Sequence, residues 1–174
     1  TDVTIEGHIY EPARLSPTDA RLAALNVPTG FSVQRVAEGL DNPRILAVGP
    51  AGLYVTQRKP GNVVLLRDLD GDGLFDVQRI VLRLPQAHGI AIRNHEIYLT
   101  DVKQIYSGAI RNDGSIDQLR VIARGLPDGG QHPNRTLGFS PEGDLFVTVG
   151  STCNECRETN PENATILKVP LRDP

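Results

Sequence analysis

Three stretches of this chain share one pattern of apolar and polar positions. Gly52-Leu53-Tyr54-Val55-Thr56, Glu96-Ile97-Tyr98-Leu99-Thr100 and Asp144-Leu145-Phe146-Val147-Thr148 each run apolar, aromatic, apolar, threonine. A short run rich in aromatic and β-branched residues predicts a strand. Leu53, Ile97 and Leu145 follow one another at spacings of 44 and 48 residues. Each copy is preceded by a short apolar run, at 45–48, 89–92 and 136–139. The links are turn-forming: Gly49-Pro50-Ala51-Gly52, Arg93-Asn94-His95 and Ser140-Pro141-Glu142-Gly143. A third strand is predicted at 62–66, 109–111 and 165–169, and a fourth at 78–82 and 119–123 in the first two units.

Four short strands in each repeat of about 40–50 residues is the pattern of a β-propeller blade. A β-sandwich also has short strands and close turns, but the threefold recurrence favours the propeller. The fold class expected is therefore all-β, with about three four-stranded blades. The start of the chain reads differently. Ser16 as N-cap, Pro17 at the first helical position and the helix formers at 20–25 predict one short helix, closed by Val27-Pro28-Thr29-Gly30. A strand at 31–37 would then lead into the first blade. The expected organisation is an N-terminal extension over 1–30 and a partial propeller over 31–174, with blades at 31–84, 85–125 and 126–174.

Propellers have at least four blades, and an open array would leave unpaired strand edges that natural proteins avoid. Either the sequence is a fragment of a longer one, or a second chain or a copy of this one is expected to complete the ring.

Composition narrows the class further. Apolar residues make up 39% of the 174, and 17 glycines bring the total to an ordinary globular share. A net charge of −3 with no basic stripe points away from nucleic acid. No apolar run reaches the length of a membrane span. The sequence contains no methionine, so residue 1 is not a translation start, and a leader is expected to have been removed or the chain trimmed. Cys153 and Cys156 suit a small disulfide loop, a redox pair or a metal motif. Arg157 follows Cys156, so c-type haem attachment is unsupported, and two cysteines with no nearby histidine make a poor zinc site. The preferred reading is a disulfide in an exported protein, periplasmic or secreted.

Two places carry candidate chemistry. The first is Asp68-Leu69-Asp70-Gly71-Asp72-Gly73-Leu74-Phe75-Asp76. It sets carboxylates at positions 1, 3, 5 and 9 of a tight loop and the Leu74 carbonyl at position 7, the oxygen pattern that wraps Ca²⁺. Position 12 is Arg79 rather than a bidentate glutamate, and strands flank the loop. It would be an EF-like calcium loop of structural role; the alternative is an acidic hairpin turn without an ion. Asp113-Gly114 is an ordinary hairpin turn. Asn134-Arg135-Thr136 and Asn163-Ala164-Thr165 match the glycosylation sequon, which is informative only in a eukaryotic secretory setting.

The second place is spread over the repeat. Arg44 enters the first blade after Asn42-Pro43, His88 the second in Pro85-Gln86-Ala87-His88-Gly89, and His132 the third in Gly129-Gly130-Gln131-His132-Pro133. In a propeller the innermost strands line the central channel, and the loops feeding them crowd one of its ends. Arg44, His88, His132 and Arg135 would then converge on one site, with an imidazole as the natural base near neutral pH. Otherwise they are separate solvated loop residues. His8 and His95 read as surface. No nucleophile elbow, phosphate-cradling loop or nicotinamide fingerprint is present.

The segments 126–133, 137–143 and 145–151, together with 39–44, 53–58 and 61–63, resemble the soluble quinoprotein glucose/sorbosone dehydrogenase family. Cys153-Asn154-Glu155-Cys156 is most similar to its sorbosone dehydrogenase-like branch. The resemblance covers about residues 28–170. It implies a six-bladed, exported propeller that binds pyrroloquinoline quinone (PQQ) at the channel mouth and oxidises a sugar or polyol, passing electrons to an acceptor. It implies that His132 takes the proton of a substrate hydroxyl, that His88 could contact cofactor or substrate, and that Arg135 is a candidate for the cofactor's carboxylates; Arg44, placed by the repeat, joins them as a candidate cofactor contact. Later blades of that family supply the main quinone clamps and its active-site calcium, so this chain would hold part of a site. The competing readings are a non-catalytic binding propeller that keeps the calcium loop and, last, a metal-dependent hydrolytic propeller.

Overall fold

The computed structural model describes residue 13 and residues 15–127 and 129–171. Contacts divide the chain into two compact units, Thr1–Arg35 and Val36–Pro174. In the first, a single turn of helix, α1 (Asp19–Ala23), is capped by Thr18, whose side chain accepts from the Arg21 N–H. The expected cap was Ser16. Thr18 wins because its backbone is extended at φ −137° and its hydroxyl reaches the first turn. Residues 31–37 form no strand, contrary to expectation: strand geometry needs a neighbouring ladder, and none pairs with this segment among the described residues.

The second unit is a run of three antiparallel sheets. The first is β1 (Pro43–Gly49), β2 (Gly52–Gln57), β3 (Asn62–Arg67) and β4 (Val77–Arg83), in chain order. The second is β5 (Ile90–Arg93), β6 (Glu96–Thr100), β7 (Gln104–Ala109) and β8 (Arg120–Arg124). The third holds β9 (Leu137–Phe139), β10 (Leu145–Val149) and β11 (Thr165–Val169). The third strand of the second blade thus lies earlier than the expected 109–111. Its tip continues as an Ile110–Ile116 bridge around the Asp113-Gly114 turn. Strand β1 packs against β5, and β5 against β9, so the first strand of each sheet faces its counterpart in the next. This is the radial arrangement of propeller blades.

Alternation explains how the blades adhere. In β2, Tyr54 faces the second blade and Val55 faces away. The register Tyr54↔Leu65 and Val55↔Val64 carries both faces into β3. Tyr54, Val63 and Leu65 form one core with Ile90, Ile97 and Leu99 of the second blade. Tyr98 repeats the role of Tyr54 one blade on, in a core with Leu137, Leu145, Val147 and Val169, and its ring meets Phe139 edge-on at 5.0 Å. The far face of the first blade has its own cluster, Val55, Val64 and Leu66 with Leu40, Leu53 and Phe75.

Polar contacts add register between blades. The Tyr54 hydroxyl donates to the Gly114 carbonyl at 3.0 Å, and the Thr56 hydroxyl donates to the His88 carbonyl at 2.7 Å. Both are buried, where an unpaired hydroxyl would cost about 1–3 kcal/mol.

Candidate functional site

Antiparallel pairing dictates where the site residues gather. The end of the second strand of each blade returns beside the start of its first strand. Thr56, Thr100 and Thr148 therefore lie at the same end as the loops that feed β1, β5 and β9. There the His88 N–H donates to the Thr100 carbonyl at 3.0 Å, and the Thr148 N–H donates to the Thr136 carbonyl at 3.0 Å.

His88 is the buried hub of this end, only 7% exposed. Its Nδ1 lies 2.7 Å from the Arg135 carbonyl oxygen. A carbonyl only accepts, so Nδ1 carries the proton and Nε2 presents its lone pair. Arg44 Nε donates to that Nε2 at 3.4 Å. Burial holds the imidazole below its ordinary pKa. The Arg135 carbonyl works against this, while the Arg44 and Arg58 guanidiniums push further down. His88 is thus suited to remain neutral and to accept. Gly89 allows the loops to close, because a Cβ there would stand 2.7 Å from the Arg135 carbonyl oxygen and 2.5 Å from Thr100 Cγ2.

Three of the expected residues are therefore together: Arg44, His88 and Arg135. Arg44 is exposed at the rim. Arg135 is fully buried; its guanidinium turns inward to donate to the Pro127 carbonyl, and its own carbonyl reaches His88.

His132 lies three residues earlier on the same loop and is exposed. Its Nδ1 is 3.0 Å from the Ser151 carbonyl oxygen and 3.1 Å from Ser151 Oγ. By the same argument Nδ1 carries the proton, and the Nε2 lone pair is left for an incoming donor. The loop lies tight against the segment after β10. The Gln131 N–H donates to the Thr152 carbonyl at 3.0 Å, and a Cβ on Gly150 would stand 2.8 Å from His132 Cβ.

Sequence reasoning missed Arg58, Ser151 and Glu158. The signal was present, since Arg58 and Ser151 follow the repeated threonine by two and three residues, at the end of the blade where the histidines gather. Glu158 has no such address. A Cys153–Cys156 disulfide closes the intervening loop, as expected. Of the two sequons, Asn134 is exposed, whereas Asn163 is buried with Nδ2 donating to Glu158 at 2.9 Å. His95 is exposed as expected, and His8 lies outside the described residues.

The acidic loop sits apart from these residues, between β3 and β4. Ligand oxygens of Asp68, Asp70 and Asp76 lie within 4.8 Å of one another. Asp68 accepts from the N–H groups of Gly71 at 2.7 Å and Gly73 at 2.9 Å, and Asp76 accepts from Leu69 at 2.7 Å. The Gly73 and Gly71 amides hold the Asp68 carboxyl below the usual carboxylate range. Asp72 turns its Oδ1 to the Leu74 N–H at 2.7 Å and stands outside the three-carboxylate cluster.

A second groove, between the second and third blades, opens at the opposite strand ends. Within it Arg120 pairs with Glu96 at 2.7 Å, Lys168 pairs with Asp144 at 2.6 Å, and Arg93 lies over the Phe139 ring at 5.5 Å.

Blades packed in order through their first strands make this chain part of a β-propeller. The TrAA12-like family model matches residues 25–169, and the chain belongs to that family. It is similar in fold to the holo PQQ domain of pyranose dehydrogenase from Coprinopsis cinerea, at 24% identity and a TM-score of 0.66, over 74% of this chain and 32% of that one. It is also similar to a family AA12 carbohydrate-active enzyme from Trichoderma reesei, at 24% identity and a TM-score of 0.63, over 70% and 33%. A third likeness is to PQQ-bound aldose sugar dehydrogenase from Streptomyces coelicolor, at 18% identity and a TM-score of 0.61, over 78% and 46%. The chain thus spans about a third to a half of the length of these structures. No curated protein sequence matches it.

His88 yields a pH prediction. Its folded pKa lies below its ordinary value of 6.5, so between those two values the unfolded chain binds the extra proton and stability rises with pH. Urea midpoints are expected to hold steady above pH 6.5 and to fall as pH drops below it towards the folded pKa. His88→Gln should flatten that slope, and an unchanged slope would refute the assignment.

Proposed function

We propose that this chain is part of a PQQ-dependent sugar or polyol dehydrogenase, with His132 as general base. The carrying observation is the His132 geometry: Nδ1 is engaged by Ser151 and the Nε2 lone pair is left on an exposed loop end. Family membership and the fold shared with PQQ enzymes support the reading.

The residues at this end suit such a cofactor. PQQ is an anionic tricarboxylate, and the Arg44 guanidinium sits at the rim beside His88, with Arg58 close enough to lower the His88 pKa. When bound, PQQ supplies the electron-accepting ortho-quinone that a hydroxyl oxidation needs. Arg44 would bind a carboxylate, and neutral His88 would hold Arg44 in place. Arg135, as a buried residue, would contribute through the carbonyl that fixes His88. His132 would take the substrate hydroxyl proton at Nε2. The Cys153–Cys156 loop favours the sorbosone dehydrogenase-like branch, and a disulfide suits an oxidising compartment, periplasmic or extracellular.

The remaining blades must come from elsewhere, either a second copy or further chain. Apolar side chains remain exposed at both ends of the blade array. On the first blade Leu46 and Val48 are 60% and 80% exposed, and on the third Ile166 is 69% exposed. Sizing chromatography with light scattering should show this chain assembling with itself or with a partner that supplies blades; a soluble monomer under all conditions would refute completion by a copy.

The functional test uses the complete propeller, reconstituted with PQQ and Ca²⁺ and an artificial electron acceptor, across aldoses and polyols. Turnover is expected, falling about 10²–10⁴-fold in His132→Ala. Unchanged turnover in that variant would remove His132 as base. Absent turnover together with absent quinone absorbance would favour a binding propeller.

The 68–76 loop would hold a structural Ca²⁺ through Asp68, Asp70 and Asp76, with Asp72 and the Leu74 carbonyl as further candidates. Saturating calcium is expected to raise the melting temperature by about 5–10 °C, an effect lost in Asp68→Asn. No shift in the unaltered chain would rule the loop out as a site.

A further inference from the structure

We infer that Glu158 is a positioning residue for His132, acting through Thr152 and Ser151. This rests on the reading of His132 as the base. Glu158 is half-buried just beyond the disulfide loop. Its carboxylate accepts three hydrogen bonds: Thr152 N–H at 2.7 Å, Thr152 Oγ1 at 2.9 Å and Asn163 Nδ2 at 2.9 Å. Two of the three fall on one residue, so the backbone of Thr152 is clamped in both position and rotation. Thr152 is the neighbour of Ser151, whose carbonyl and hydroxyl both face His132 Nδ1. The Thr152 carbonyl also receives the Gln131 N–H, so both sides of the histidine are tied to the clamped residue.

The orientation of Asn163 supports the clamp. Asn163 must turn Nδ2 to Glu158, because a carboxylate cannot donate. That leaves its buried Oδ1 without a hydrogen-bond partner among the described residues. A buried acceptor left unpaired costs free energy, and here the cost accompanies an oriented donor on Glu158. The Thr152 backbone bond chiefly holds the Glu158 carboxyl below its usual range, so Glu158 is a carboxylate able to accept all three bonds.

In this role Glu158 sets which ring nitrogen carries the proton. With Ser151 fixed, Nδ1–H has two oxygens to face, and Nε2 is kept unprotonated for the substrate. With Thr152 released, the Ser151 carbonyl can turn and the imidazole reverts to the mixture of a solvated ring, part of which has its Nε2 blocked by a proton.

The test is nitrogen NMR of this chain with isotopically labelled histidines, the His132 signal being assigned by its loss in His132→Gln. The unaltered chain is expected to show His132 in the Nδ1–H form, and Glu158→Ala to lose that preference while the His88 signal stays in place as a check on folding. If Glu158→Ala does not fold, Glu158→Gln carries the test, because its amide cannot accept all three bonds; it should weaken the preference. Retention of the Nδ1–H form in a folded Glu158 variant, or no preference in the unaltered chain, would overturn the clamp. Turnover of the complete enzyme reports separately. A lost preference in Glu158→Ala, with His132→Ala fully active, would uphold the clamp and refute the base.

Discussion

The second sheet is apolar on both faces, and that constraint governs the rest. A β-sheet with one wet face can stand alone; one with two dry faces cannot. Tyr54 and Leu65 need the second blade, just as Tyr98 needs the third. Burial of about 25 cal/mol per Å² of apolar surface drives the sheets together, and the alternation within each strand makes the same stacking recur. The face-to-face order of β1, β5 and β9 follows, and with it a common end at which their entry loops meet.

The chemistry inherits its precision from this stacking. The Thr56 hydroxyl reaches out of the first blade to the carbonyl of His88, and the Arg135 carbonyl reaches back from the third blade to its ring. His88 is thus held from both sides, and its tautomer is set by the Arg135 carbonyl at Nδ1 and the Arg44 guanidinium at Nε2. The same logic operates at His132, where Ser151 supplies the carbonyl. In both cases a rigid strand end positions a loop imidazole, and the glycines at 89 and 150 permit the close approach.

Much of this is legible in the sequence. The aromatic–apolar–threonine repeat located β2, β6 and β10, because period-two alternation with a fixed spacing depends only on local order. The disulfide followed from close cysteines in a chain without a metal partner for them. Other features were illegible for identifiable reasons. Residues 31–37 have strand-like composition, yet a strand requires a paired ladder that composition cannot guarantee. The helix began at Thr18 rather than Ser16 because the cap is decided by backbone dihedral angle. Arg135 looked like a rim residue in sequence and proved fully buried, since burial depends on the neighbouring loop.

The sequence by itself determined the blade repeat, the acidic loop and the roster of basic side chains near the blade entries. These are properties of spacing and residue type. The tertiary structure alone decided which of them meet. It joined Arg44, His88 and the Arg135 carbonyl across three blades, separated the 68–76 loop from them, and revealed Arg58, Ser151 and Glu158. The physical reason is that hydrogen bonds and desolvation act over a few ångströms, whereas these residues are up to about a hundred positions apart along the chain; only the packing of one blade on the next brings them within range.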